Sequence, residues 1–397
     1  MILLKNCNLI NMAGIYEENY DILIDGKIIK KIEKNIDAND YKDIELIDVQ
    51  GKLVTPGLIE SHCHMGIYET AVPEGIDGNE TTNPVLPGLR AIDAIDPLDS
   101  AYDVAIKHGI TTVVTGPGSA NVMGGTFCAM KTAGKSLDKN IIKEEATFKM
   151  ALGENPKTFY GGKNLAPKTR MMSAALMREA LFKAKKYHED YNAYLNGEKE
   201  SYKYDLHMHS LMRAFDGMRV KIHAHQADDI MTGIRISEEF GLNYTIDHCT
   251  GGSDIVDELV DHKVDCIIGP SAGGKGKYEL KNKGFKLGKL LQDRNVDFAI
   301  TTDHPVIPIE GLLMQLAMYV KNGVTEENAL KAVTINAARV TDIDKHVGSI
   351  EEGKDADIVI WEVGPLKTMS KTDMVIVNGE VVYQGEEGEY DVDYKKY

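Results

Sequence analysis

Through the middle of the chain, short β-type apolar runs alternate with amphipathic helical ones, and this rhythm limits the fold more than any other feature. Thr111-Thr112-Val113-Val114, Val220-Lys221-Ile222-His223 and residues 244–248, 264–269 and 297–303 have the length and β-branched content of strands. Residues 228–240, stopped by Gly241, and residues 309–321, ending before Gly323, have helical periodicity. Strands alternating with helices build parallel β/α units. About 290 residues of that rhythm suit an eightfold barrel with elaborated loops.

The two ends of the chain read differently. Residues 21–24 and 27–32 flank the turn Asp25-Gly26, and residues 374–377 and 380–383 flank Asn378-Gly379. Such dipeptides between apolar runs are hairpin signals. Neither end is large enough to fold alone, so the expectation is one small β-sandwich assembled from both. The expected division is 1–54 and 346–397 for the β-sandwich and 55–345 for the barrel, with residues 163–216 a charged, helical insertion. Residues 68–97 and the insertion are the expected pocket wall.

Composition narrows the function. With 43% hydrophobic and 27% charged residues, the 397-residue chain is of ordinary globular type. Its net charge of -16, from 45 basic and 61 acidic residues, argues against a nucleic-acid or anionic-membrane surface and for a small-molecule substrate. The start, Met1-Ile2-Leu3-Leu4-Lys5-Asn6-Cys7, lacks the long apolar core of a signal peptide, and no run approaches membrane-spanning length. A cytoplasmic location is expected. Cysteines 7, 63, 128, 249 and 266 are too few and scattered for a disulfide framework.

His62-Cys63-His64 ends the apolar run of residues 53–61. A period of two puts both imidazoles on one side, which supplies half the first shell of a divalent transition metal. Cys63, and likewise Cys249 beside His248, faces the other way and is expected as a buried small apolar residue. Metal-binding types recur at later strand ends: Lys149 in Phe148-Lys149-Met150, His223 and His225 in Ile222-His223-Ala224-His225, His248 in Ile246-Asp247-His248, and Asp303 in Thr301-Thr302-Asp303. Barrels place their chemistry at these C-terminal ends. His207-Met208-His209 repeats the first spacing in a helical context, where residues two apart diverge, so it is read as structural. The glycine-rich run 116–125 lacks the Lys-Ser/Thr ending of a nucleotide loop and is read as a substrate-shaping loop.

Taken together, "GKLVTPGLIESHCH", "GITTVVTGPGSANVMGG", "FKMALGENPK", "VKIHAHQADDI", "IDHCTGG", "ITTDHP" and "VTINAARVTDIDKHVGSIEEGKDADIVIW" resemble the metal-dependent amidohydrolase superfamily. The similarity is to its imidazolonepropionase-related branch, which includes Xaa-Pro and Xaa-Arg dipeptidases. It spans nearly the whole chain and implies an α/β fold: a distorted (β/α)8 TIM barrel with a small β-sandwich built from both termini. It also implies a divalent metal, expected to be zinc, and favours a homo-oligomer.

Within that resemblance His62 and His64 match the first-strand pair. Lys149 stands where binuclear members carry a carboxylated lysine bridging two metals. Phe148, Met150 and Leu152 would face the surrounding helices, leaving Lys149 inside, where burial lowers its pKa toward the reactive amine. Two metals per chain are then expected, and one if Lys149 is an uncarboxylated structural lysine; Glu154 is the rival bridging carboxylate. His223, followed by Ala224 and then Ile230, fits the fifth-strand ligand, leaving His225 to support the ligands or the substrate. His248 fits the sixth-strand ligand. Asp303 fits the final-strand aspartate that ligates metal and shuttles protons. Lys275 and Lys277 are either holders of a substrate carboxylate or solvated loop charges. The implied reaction is hydrolysis of a C–N bond in an amide or cyclic amide by metal-activated water. A mononuclear imidazolonepropionase-like or deaminase-type hydrolase is the alternative, and a non-catalytic assembly protein of the same fold is the alternative of another class.

Overall fold

The computed structural model describes residues 1–68, 76–367 and 369–385. Residues 69–75 of the expected pocket wall, and residues 368 and 386–397 of the C-terminal β-region, lie outside them. The chain begins with β1 (Ile2–Ile10), β2 (Tyr16–Asp25), β3 (Ile28–Glu33), β4 (Glu45–Asp48) and β5 (Leu53–Pro56). Next come β6 (Leu58–Cys63), β7 (Ile110–Thr115), β8 (Met123–Lys131), β9 (Ile141–Ala151), β10 (Val220–Ala224), β11 (Tyr244–His248), β12 (Asp265–Ile268) and β13 (Phe298–Ile300). The last three are β14 (Ile358–Val363), β15 (Lys371–Val377) and β16 (Glu380–Gln384).

The first five and last three strands share one sheet, in the order β16-β15-β14-β5-β1-β2-β3 with β4 against β1. Both hairpins form. Asn378 and Gly379 both have positive φ, as a type I′ turn requires, and they link β15 to β16. The sheet closes on its own core, where Leu4, Cys7, Leu9, Ile22 and Ile24 from the start pack with Ile358, Ile360 and Ile376 from the end. This unit is tied to the barrel by buried Lys131 at the end of β8, whose Nζ lies 2.7 Å from Asp357 and 3.0 Å from Asp355. Removing the lysine alone would leave two buried carboxylates uncompensated, at about 3–5 kcal/mol. Trp361, also buried, donates its indole N–H to Thr55 Oγ1 at 2.9 Å.

Strands β6 to β13 form the second sheet in sequence order, nearly closed into a barrel. All adjacent pairs are parallel except those of β8, which runs antiparallel to both β7 and β9. The links 116–122 and 132–140 on either side of β8 are shorter than a parallel crossover needs, so the chain doubles back there. Elsewhere helices return the chain, among them Arg170–Leu195 in the insertion, Ala227–Phe240 and Gly311–Lys321. Phe148, Met150 and Leu152 face outward into one apolar cluster with Met177 and Leu181 of the insertion helix.

Glu60 joins β6 to the end of β13 from inside the barrel. Its carboxylate accepts from Thr301 Oγ1 at 2.6 Å, from Thr302 N at 2.8 Å and from Thr302 Oγ1 at 2.7 Å. Above it His64 N donates to His304 O at 2.8 Å. These bonds hold the first and last strands together where the ladder stops. No helix of the described residues is long and apolar enough to cross a membrane.

Candidate metal centre

Strand geometry does the first part of the placement. Glu60, His62 and His64 point inward from β6, while Cys63 joins the outer apolar cluster, and Cys249 does the same beyond β11. The inner face of β6 thus carries the pair predicted from its period. His62 Nδ1 lies 2.7 Å from Asp247 Oδ2, both fully buried, and His64 Nδ1 lies 2.7 Å from the carbonyl oxygen of Gly116. An acceptor at Nδ1 assigns the proton there and leaves the Nε2 lone pair available. His248 Nδ1 is held in the same way by Gly269 O at 2.8 Å, while His225 Nδ1 lies 2.7 Å from Thr250 Oγ1, a hydroxyl able to donate or accept. His223 lies with Nδ1 3.0 Å from Ser119 Oγ and Nε2 3.3 Å from Asn155 Nδ2.

Alternation alone would not gather the later residues. Asp247 points inward, so a regular strand would send its neighbour His248 out. Instead His248 and Asp303 adopt left-handed backbone, with φ of 70° and 54°. Such a conformation costs a non-glycine residue about 1–3 kcal/mol and persists only where the surroundings over-determine it. The His248 ring centre then lies 5.0 Å from that of His62, 4.6 Å from His223 and 4.9 Å from His225. Asp303 Oδ1 reaches to 3.2 Å from His64 Nε2 and 3.6 Å from His62 Nε2.

Beneath these rings the barrel is charged rather than apolar. Lys149 is fully buried, with Nζ 3.4 Å from His62 Nε2 and 5.5 Å from the centre of the Phe127 ring. Burial brings its pKa down to about 8, the acids Asp247 and Asp303 offsetting part of the fall. Lys221, equally buried, places Nζ 3.3 Å from Asp247 Oδ2 and 3.1 Å from Ser61 O. Burial works against the Asp247 carboxylate, yet Lys221 and His62 hold it well below the ordinary range. Asp303 is likewise held low against burial, by His248 and His64. Burial also pushes His62, His223 and His225 well below the usual histidine value, so these imidazoles are neutral, as metal ligation requires. Phe127 floors the site, its ring centre 5.1 Å from that of His62. A Cβ at position 116 would stand 2.3 Å from that ring, so glycine is needed where the backbone turns its carbonyl to His64.

The donors fall into two groups: His62, His248 and Asp303, and His223, His225 and Glu279, each with ligand atoms within 4.8 Å of one another. His64 adjoins the first group through Asp303, and Lys149 adjoins it through His62. Glu154 is in neither group; its Oε2 accepts from Glu279 N at 3.3 Å. Lys277 Nζ binds Asn155 Oδ1 and lies 3.9 Å from Glu279 Oε1, whereas Lys275 Nζ donates to Lys281 O within its own loop at 2.7 Å. The glycine-rich run 116–125 reaches these histidines, Gly116 O at His64 and Ser119 Oγ at His223. His207 and His209 are elsewhere: His207 Nδ1 accepts from Gly88 N at 3.0 Å, and His209 packs among Tyr187, Tyr191 and Tyr204.

Sequence reasoning missed Glu60, Lys221, Asp247 and Glu279. The first three had a signal, a charged residue at an inward position of an apolar strand. Glu279 had none, since it lies in a loop with no strand period, Lys277 and Lys281 standing two positions to either side. The set as a whole suits a divalent cation. His248 Nε2 and Glu279 Oε1 are buried without a hydrogen bond, a condition costing about 1–3 kcal/mol apiece, and imidazole with carboxylate is the donor chemistry of zinc and its neighbours.

An α/β barrel with histidines and carboxylates converging at its C-terminal strand ends is a hydrolase scaffold of a particular kind. The chain belongs to the amidohydrolase family, whose model matches residues 53–382. An amidohydrolase from Thermotoga maritima MSB8 superposes with a TM-score of 0.92 at 35% identity, covering 97% of this chain and 100% of that one. Imidazolonepropionase of Brevibacillus brevis is 24% identical over 94% of this chain and 92% of its own length. Amidohydrolase tasK of Hapsidospora irregularis is 26% identical over 90% of this chain, which spans 39% of that longer protein.

Proposed function

We propose that this chain is a divalent-metal-dependent hydrolase that cleaves a C–N bond in an amide or cyclic amide. The observation that carries the reading is the convergence of His62, His64, His248 and Asp303, with orphaned donor atoms, at the mouth of an amidohydrolase barrel. These residues would hold the metal, taken as zinc. Lys149 is the candidate carbamate, giving two metals per chain when carboxylated and one when it stays an amine. The reading places the enzyme in the cytoplasm as a homo-oligomer acting on a small molecule.

A divalent metal, when bound, polarises the carbonyl and lowers the pKa of water from about 15.7 toward about 7. Asp303 accepts the proton of the attacking water at a carboxylate oxygen. It then delivers that proton to the leaving nitrogen as the C–N bond breaks. His64, 3.2 Å away, orients that carboxylate. Asp247 fixes the His62 ring, and Phe127 excludes water from below.

The test is a hydrolysis screen of zinc-loaded protein across N-acyl amino acids, dipeptides and cyclic amides. Turnover that needs metal and falls with Asp303→Asn is expected. Turnover unaffected by complete metal removal would contradict the reading.

A further inference from the structure

The segment after β6 carries a tyrosine whose hydrogen bonds run in one direction. Tyr68 N donates to His64 O at 2.9 Å, and its ring centre lies 5.1 Å from that of His64. Two glycines make room for it. A Cβ at position 78 would overlap the phenol ring, and one at position 118 would stand 2.5 Å from Oη. Gly118 N donates to Gly78 O at 2.7 Å, which holds the two sides of this clamp together. Asn79 settles the direction. Its Oδ1 accepts from Ala120 N at 3.0 Å, and because a backbone N–H can only donate, the amide is fixed with Nδ2 as the donor toward Tyr68 Oη. The phenol oxygen is thus an acceptor on that side, and its own hydrogen meets no acceptor among the described residues. Tyr160 shows the contrast: fully buried, it accepts from Asn121 Nδ2 at 3.1 Å and donates to Glu80 O at 3.4 Å, so both its functions are used inside the protein. Burial, and then the charge of Asp303, push the Tyr68 hydroxyl up to about 12, so it keeps its proton at neutral pH.

We propose that Tyr68 is a further catalytic residue, donating its O–H to the substrate carbonyl oxygen as attack by water gives that oxygen negative charge. The inference rests on the metal-hydrolase reading and deepens it. The tyrosine keeps its proton throughout. The bonds made and broken are those at the carbonyl carbon, with Asp303 carrying the water proton to the leaving nitrogen. A neutral donor preset by Asn79 suits the task, because its dipole is oriented before charge develops and no water has to be reorganised around it. Glycine at 118 then serves the chemistry by keeping a side chain out of the space the hydroxyl occupies.

The experiment uses full-length, zinc-loaded protein and the amide that the hydrolysis screen identifies as its substrate. kcat, KM, zinc per chain and the thermal unfolding midpoint are measured for the wild type, Tyr68→Phe, Asn79→Ala and the double variant. Tyr68→Phe keeps the ring, so kcat is expected to fall about 10²-fold while KM stays within about threefold and zinc content and midpoint are unchanged. Asn79→Ala is expected to lower kcat about tenfold alone and to add less than about twofold to Tyr68→Phe, because its effect passes through the hydroxyl. If Asn79→Ala does not fold, Tyr68→Phe decides. A kcat for Tyr68→Phe within about threefold of wild type overturns the proposal. A loss that comes with lost zinc, or to which Asn79→Ala adds in full, overturns it too, since the phenol would then only brace His64. Each of these outcomes leaves the metal-hydrolase reading in place. Turnover that survives complete metal removal, or no turnover of any amide in the screen, overturns both.

Discussion

Two His-x-His pairs in this chain share a spacing and nothing else. On β6, residues two apart return to the same face, and His62 and His64 bring their ring centres to 5.5 Å inside the barrel, in reach of Asp303. In the helix Leu206–Leu211, residues two apart are separated by about 200° of rotation. His207 there accepts a backbone N–H from Gly88, and His209 is enclosed by tyrosines. Secondary structure, not spacing, turns a motif into a site. A third pair, His223 with His225 around the end of β10, follows the strand rule and is drawn to the same mouth.

The largest test of this difference is Asp303, the residue toward which the β6 pair converges. Asp303→Asn keeps size and one oxygen but removes the basicity, so turnover on the identified substrate should fall about 10²–10⁴-fold. Steady-state kinetics on metal-loaded protein decide it, and near-wild-type turnover would remove Asp303 from the chemistry. A smaller effect is expected one step back from the ligands. Asp247→Asn leaves His62 without its anionic acceptor and should weaken metal binding about 10–100-fold, measured by competition with a chromophoric chelator. Unchanged affinity would mean that His62 is oriented by packing alone.

The smallest effects belong to the helical pair. His209→Asn should lower stability by about 0.5–1.5 kcal/mol through its lost tyrosine contacts, read by denaturant unfolding. His207→Asn, like His209→Asn, should leave metal content and turnover within twofold of wild type, a bound drawn from the absence of either ring at the barrel mouth. Loss of metal from either variant would bring the inserted segment into the site.

What could be read from sequence follows the same logic. Regular alternation exposed β6, β7, β10 and β11 together with His62 and His64, because period two converts position into direction, but it left His223 and His225 on one face, and only the family resemblance favoured His223. Lys149 was legible because Phe148 and Met150 on either side are plainly outward residues. β8 was hidden: Gly124 and Gly125 weaken strand propensity, and the run looked like loop, yet pairing with β7 and β9 makes it a strand. His248 and Asp303 were found by their place at strand ends, but the left-handed turns that aim them leave no mark in the amino-acid pattern. Glu279 was illegible for a further reason. Its partners Glu154, His223 and His225 reach it only through the closure of the barrel, and its neighbours Lys277, Tyr278 and Lys281 describe an exposed loop.

The central claim is that a divalent metal is held at the mouth of the barrel by the strand-borne histidines. The most direct measurement sets two double variants side by side, His62→Asn with His64→Asn and His207→Asn with His209→Asn, each stripped and reloaded with zinc. Metal per folded chain is then determined by elemental analysis. The account predicts that the first protein loses the metal of the His62, His248 and Asp303 set while the second retains wild-type content. Equal metal content in the two proteins would contradict it.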